Sequence, residues 1–342
     1  MRAAFILLFL TANIWAQLPK DSVYYAKRKA KETRMIPVRG NKYEVFTQKW
    51  GNGKTKLLLL HGGPGHGHEY FENVPEQLKN DGVTVYFYDQ LGCYFSDQPD
   101  DAAIWNVDAF VREIEDVRVG LGLQNFYLLG HSWGGLLAQK YAAKYPEHLK
   151  GVILSNVPGF STENPAYFYS LMDSLDGVAY KLAAERAEFT GKMIRLDSIR
   201  KYGKVSDGAL TKRFRKVNDS IFGRMMYYRK TGKMPEPLSR SMRHAENFGI
   251  EKYKFDFLGH DYLSDLKKIS VPVLLLGSEN DFLHDEKYYA LKETMRARTA
   301  VHLCPDGAHF PMWDDTENYF SAVRKFIKQV DMNKFDPESF LK

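Results

Sequence analysis

Cysteine is scarce: Cys93 and Cys304 are the only two in 342 residues. Two are too few for a disulfide framework, so the chain is not a small stapled module. The pair is read as two buried free thiols, with a single bridge as the alternative. No group of cysteines and histidines has the spacing of a zinc site. Dense Lys/Arg tracts are also missing. The formal net charge of +6 is spread along the chain, which argues against a nucleic-acid-binding surface. Internal repeats and low-complexity linkers are absent. No membrane span is expected in the mature chain.

What the sequence does have is apolar mass. It is 44% hydrophobic and 14% aromatic, enough for one large domain or a domain with an insertion, and too apolar for disorder. The first residues read as an export signal: Arg2 gives a short positive start, residues 3–10 are apolar but too short to span a bilayer, and Ala16 ends a cleavage site before Gln17. An amphipathic or anchoring N-terminus is the alternative. No cysteine follows the apolar run, so a lipid anchor is not supported.

After a basic stretch at 20–34, residues 36–49 alternate apolar and polar around Gly40-Asn41, the pattern of a β-hairpin. A strand-and-helix rhythm then begins. Strands are expected at 56–60, 83–88, 126–129 and 152–155. Helices are expected at 68–79, at 107–121 (with its acidic residues on the face away from the core) and at 136–144. Such alternation implies right-handed crossovers and a mainly parallel sheet. The rhythm stops after Pro158 and resumes with strands at 271–276 and 299–303 and helices at 284–296 and 316–330. The expected layout is a signal at 1–16, a core at 17–157, a helical cap at 158–264 and the rest of the core at 265–342.

Chemistry concentrates where strands end. Gly130-His131-Ser132-Trp133-Gly134 matches G-x-S-x-G, follows a strand and opens a helix, the setting of a nucleophile elbow. Side chains at the flanking glycines would collide with neighbouring elements, and the serine lands at a helix N-terminus that favours negative charge. A serine hydroxyl needs a base, and the base an orienting carboxylate, in the order Ser, Asp/Glu, His. Asp281 follows the strand ending near Leu276, with Glu279 and Asp285 as competitors. His309 lies in the turn-rich loop after the last strand. The glycines of His61-Gly62-Gly63-Pro64-Gly65 let main-chain N–H groups approach a substrate oxygen, and the amides of Gly63 and Trp133 are the expected oxyanion donors. His61 and His131 are read as packing or hydrogen-bonding residues. No metal or organic cofactor is required.

These motifs resemble the prolyl iminopeptidases, α/β-hydrolase aminopeptidases. The likeness lies in His61 to Gly65, in Asp89-Gln90-Leu91-Gly92-Cys93 with Ser96-Asp97-Gln98-Pro99, in Gly130 to Gly135, in the stretch from Val271-Pro272 to Asp281, and in His309 with Pro311-Met312-Trp313. It implies the α/β-hydrolase fold and release of an N-terminal residue, often proline, from short peptides by acyl transfer. Tyr94 and Phe95 depart from the family's glycine and small residue. The family binds the substrate's free amine with acidic cap residues, and the matching positions here are Glu246, shifted by one because Asn247 takes the usual glutamate's place, and Asp219. Independently, an ammonium entering a partly dry pocket requires a carboxylate. Two other readings stand beside this one: an esterase or amidase of the same fold, and a non-catalytic binding protein. An epoxide hydrolase or dehalogenase is expected to carry Asp where Ser132 stands.

Overall fold

The computed structural model describes residues 32–157, 234–244, 260–281, 292–293 and 295–340. Among them, eight strands build one sheet: β1 (Thr33–Val38), β2 (Tyr43–Trp50), β3 (Thr55–Leu60), β4 (Val83–Tyr88), β5 (Phe126–His131), β6 (Leu149–Ser155), β7 (Val273–Ser278) and β8 (Thr299–Cys304). Their order is β1-β2-β4-β3-β5-β6-β7-β8. β1 and β2 form the expected hairpin, with Val38 opposite Tyr43 and Arg39, Gly40 and Asn41 all at positive φ in the turn. β2 meets β4 antiparallel, and every pair from β4 through β8 is parallel.

The helices are α1 (Val74–Leu78), α2 (Val107–Leu121), α3 (Trp133–Lys144), α4 (Glu236–His244), α5 (Tyr262–Leu266), α6 (Pro311–Asp314) and α7 (Thr316–Asp331). The continuous apolar runs of β3, β4, β5 and β7 suit a sheet covered on both faces. In β3, Leu58 and Leu60 join the cluster packed by Phe110 and Ile114 of α2 and Leu137 and Tyr141 of α3. Leu57 and Leu59 point the other way, into the cluster that holds Tyr319, Val323 and Phe326 of α7. The period-two pleat thus feeds two cores from one strand. α2 is capped as a free-standing helix would require, with Asn106 Oδ1 accepting from the Ala109 amide at 3.0 Å and Gly122 at φ 64° ending it.

Two expectations need correction. Residues 68–79 are not one helix: a 3₁₀ turn at His68–Phe71 precedes α1. Pro75 cannot donate to the preceding turn, so the helix restarts around it. The acidic residues of α2 do not all face solvent either. Glu113 is buried and accepts from Arg39 Nε at 3.1 Å and Nη2 at 3.0 Å, from the Tyr88 hydroxyl at 3.0 Å and from the Leu91 amide at 2.9 Å. Burial raises its carboxyl above the ordinary value, against the opposing pull of Arg39. This carboxylate ties the hairpin turn, the end of β4 and α2 together.

Cys93 and Cys304 are both buried and free, and burial pushes both thiols up. Among the described residues no helix is long and apolar enough to cross a membrane. The signal at 1–16 and most of the cap at 158–264 lie outside the described residues. Within the cap range, α4 docks on the 67–72 segment. Ser241 Oγ accepts from the Gly67 amide at 3.1 Å and donates to its carbonyl at 2.8 Å. Arg240 pairs with Glu72 at 2.7 Å and with the buried Glu69 at 3.5 Å.

Glu113→Ala strands a guanidinium, a phenol and an amide. It is expected to destabilise the protein by about 3–5 kcal/mol in urea unfolding; a loss below about 1 kcal/mol contradicts this account of the brace.

Candidate active site

The loops that follow β3, β4, β5, β6, β7 and β8 all leave the carboxyl edge of the sheet, because these strands are parallel. They carry His61 to Gly65, Asp89 with Gln90, Ser132, Asn156, Asp281 and His309 respectively. The sequence-predicted residues of the core therefore arrive at one edge from far apart in the chain.

Ser132 sits at φ 53° and ψ −123°, between β5 and α3. Two glycines make this turn possible. A Cβ at Gly130 would lie 2.2 Å from the Gly134 carbonyl oxygen, and one at Gly134 would lie 2.2 Å from the carbonyl oxygen of Leu60. α3 thus starts in direct backbone contact with the end of β3. The Ser132 amide donates to Ser155 O at 2.9 Å, and its carbonyl accepts from Gly135 N at 2.8 Å. Its backbone is fixed on both sides, and the residue is nearly buried, at 8% exposure. The loop at Gly62 runs alongside it, since a Cβ at Gly62 would come within 2.9 Å of Ser132 Cβ. Gly63, next along that loop, is at φ 116°, and Trp133 follows Ser132 as the first residue of α3.

Asp281 and His309 meet. His309 Nδ1 lies 3.0 Å from Oδ1 and 3.1 Å from Oδ2 of Asp281, with both side chains buried. A carboxylate has no proton to give, so Nδ1 donates. Glu279, one competitor for this role, is exposed; Asp285, the other, lies outside the described residues. The two loops are laced by backbone contacts: Glu279 N to Cys304 O at 3.1 Å and Asn280 N to Gly307 O at 3.1 Å. The loop of His309 is further held by Asp314, whose Oδ2 accepts from Ala308 N at 3.0 Å.

Sequence reasoning missed three supporting side chains. Asn156, at φ 47°, donates to Asp281 Oδ2 at 2.6 Å and to Ser278 Oγ at 3.0 Å. The signal available was Asn in the Ser155-Asn156-Val157-Pro158 stretch at a strand end, where αL backbone suits it. Gln90 Oε1 accepts from Trp133 Nε1 at 2.8 Å while its Nε2 donates to His61 O at 2.7 Å. Tyr70 places its hydroxyl against the Gly62 amide and 3.2 Å from His131 Nδ1. The pairings of Gln90 and Tyr70 have no sequence signature.

The buried histidines fit the packing and hydrogen-bonding reading. Burial lowers the His61 pKa, and Nε2 accepts from Gln90 N at 3.0 Å, so the proton sits on Nδ1. Beside it, Asp89 Oδ1 accepts from His68 Nδ1 at 2.9 Å and His68 N at 2.7 Å. Burial works to raise the Asp89 carboxyl, but His68 and His61 together outweigh it and hold the group below its ordinary value. Among the described residues no group of three or more His, Cys, Asp or Glu side chains is arranged to hold a metal ion. Glu246 and Asp219 lie outside the described residues.

Residues 56–316 match the family model described as alpha/beta hydrolase fold. The chain is 33% identical over 323 residues to a protein named proline iminopeptidase from Elizabethkingia meningoseptica, covering 88% of this chain and 100% of that one. It is 30% identical over 320 residues to one of the same name from Flavobacterium johnsoniae, covering 88% and 99%. A solved structure titled proline iminopeptidase from Mycobacterium smegmatis superposes with a TM-score of 0.64 at 23% identity, over 89% of this chain and 100% of that one. That last likeness speaks to the fold.

Asn156→Ala leaves a buried carboxylate oxygen and the Ser278 hydroxyl without this donor. It is expected to cost about 1–3 kcal/mol of stability in urea unfolding; an unchanged midpoint contradicts the role given to Asn156.

Proposed function

Because the chain belongs to the prolyl iminopeptidase family of α/β-hydrolases, we propose that it is a serine aminopeptidase that releases an N-terminal residue, with proline preferred, from short peptides through an acyl-enzyme. The observation that carries this reading is the buried Asp281–His309 hydrogen bond at 3.0 Å, on a loop whose His309 carbonyl lies 2.7 Å from the ring of His131, the residue before the fixed turn of Ser132.

In this reading His309 takes the proton of the Ser132 hydroxyl as the oxygen attacks the scissile carbonyl. Asp281 keeps the Nδ1 proton in place and stabilises the imidazolium that forms. The amides of Gly63 and Trp133 receive the oxyanion, an interaction whose individual donors contribute roughly 2.7–4 kcal/mol in such sites. The leaving amine collects the proton from His309. Water then attacks the acyl-enzyme with His309 again as base, and Ser132 is regenerated. His131, next to Ser132 in sequence, is a poor rival for the base, because both of its ring nitrogens have partners.

Substrate recognition falls to the cap. Glu246, with Asp219, is proposed to bind the free amine, which on entering a dry pocket needs a compensating carboxylate. Residues 1–16 are proposed to direct export, so that the mature enzyme acts on peptides outside the cytoplasm.

Ser132→Ala is expected to lower kcat by on the order of 10⁵–10⁶-fold while the circular dichroism spectrum stays native; normal turnover contradicts the assignment. In a panel of fluorogenic aminoacyl amides, proline amide is expected to be preferred and blocking its amine to abolish the preference. Glu246→Gln is expected to raise KM for free-amine substrates more than for simple esters. Equal effects on both remove the amine-binding role and favour the esterase reading.

A further inference from the structure

His131 occupies the position before Ser132 and has no part in the proton transfers above, yet it is fully buried. Its surroundings fix its chemistry. His131 Nε2 lies 2.7 Å from the backbone carbonyl oxygen of His309, which can only accept, so Nε2 carries a proton. The ring packs against His309 at 4.8 Å, Phe310 at 4.8 Å and Tyr70 at 5.3 Å between centroids. Burial first, and the neighbouring His309 second, press its pKa well below the ordinary value, so the ring is neutral. A neutral ring protonated at Nε2 has a bare Nδ1, and the only hydrogen-bond role left for Nδ1 is to accept. The group facing it at 3.2 Å is the Tyr70 hydroxyl. That hydroxyl gives its one proton to His131 and uses its oxygen to accept from the Gly62 amide.

The result is a chain of hydrogen bonds with one direction: Gly62 N–H to Tyr70 O, Tyr70 O–H to His131 Nδ1, and His131 Nε2–H to the carbonyl of His309. Its ends are the loop beside Ser132 and the loop that presents the His309 imidazole. Its middle is covalently joined to Ser132. Trp313 Nε1 donates to the Tyr70 carbonyl at 2.7 Å, which ties the same tyrosine to the segment after His309.

We propose that Tyr70 and His131 are positioning residues for the hydrolytic site, a rigid relay that sets the Gly62–Gly63 amides and the His309 imidazole at fixed distances from Ser132. The proposal rests on the serine hydrolase reading for its kinetic consequence and on the hydrogen-bond polarity alone for its structural one. A placement error of about 1 Å in such groups can cost about 100-fold in rate. A merely structural pair would lower stability and the fraction of active enzyme instead.

The experiment has two arms. In the first, wild-type protein labelled with ¹⁵N-histidine is examined by long-range ¹H–¹⁵N correlation, with the His131 signals assigned by their loss in His131→Gln. The neutral Nε2–H tautomer, unchanged from alkaline to mildly acidic pH, is expected; the Nδ1–H tautomer or an imidazolium overturns the relay. In the second, kcat and KM are measured per titrated active site. Tyr70→Phe and His131→Leu are expected to lower kcat by about 10–100-fold with KM within about twofold. His131→Gln, whose amide nitrogen still donates to the His309 carbonyl, is expected to retain more of kcat than His131→Leu. Wild-type kcat in Tyr70→Phe, or equal values for Gln and Leu at position 131, overturns the proposal. If Tyr70→Phe does not fold, the comparison at position 131 and the tautomer decide. A wild-type protein that shows no hydrolysis is a failure of the serine hydrolase reading, and the tautomer arm still tests the relay on its own.

Discussion

The hydrogen bond from His309 Nδ1 to the Asp281 carboxylate is the interaction around which the carboxyl edge of the sheet is arranged. Two buried polar groups 28 positions apart are held at 3.0 Å, and neither is tolerable in that environment without the other. Everything nearby serves to keep them paired. The loops after β7 and β8 are laced by main-chain bonds, Asn156 reaches across from the end of β6 to the second carboxylate oxygen, and Asp314 holds the main chain before His309. The imidazole that results has one nitrogen committed to the carboxylate, which is the condition for the other to act as a base toward a hydroxyl.

A second constraint meets the first at Ser132. Parallel β3 and β5 bring the start of α3 so close to Leu60 O that only glycine fits at position 134, and the turn at Ser132 is left with a backbone conformation few residues adopt. The strain is held by the hydrogen bonds to Ser155 and Gly135 and by the packing of fully buried Trp133. The serine is thus presented by rigid elements, and the partners come from loops that must be braced. That division explains why so many polar side chains lie buried at this edge, with Gln90, Tyr70 and Asn156 each bridging two loops.

Much of this was legible in the sequence, for physical reasons. Apolar runs mark buried strands because a doubly covered sheet excludes water from both faces, and the strands at 83–88 and 299–303 were found nearly to the residue. The glycines around Ser132 mark close backbone approach, which no other residue allows. The meeting of Asp281 and His309 is legible from their positions after strands, since parallel strands deliver such residues to one edge. The bracing residues were not legible. Tyr70 reads as an ordinary aromatic, Gln90 as a loop residue and Glu113 as part of a solvated helix face, because each gains its meaning from a partner distant in the chain. The break in the helix at 68–79 does have a mark in the sequence, Pro75.

The account stands on Ser132 being the residue that reacts. The most direct measurement is peptide mapping by mass spectrometry after treatment of the full-length native protein with a fluorophosphonate. The expected result is a single stoichiometric adduct on the Ser132 hydroxyl, formed by the native protein and not by the urea-unfolded one. A native protein that takes up no reagent, or that carries it on a different serine, contradicts the account.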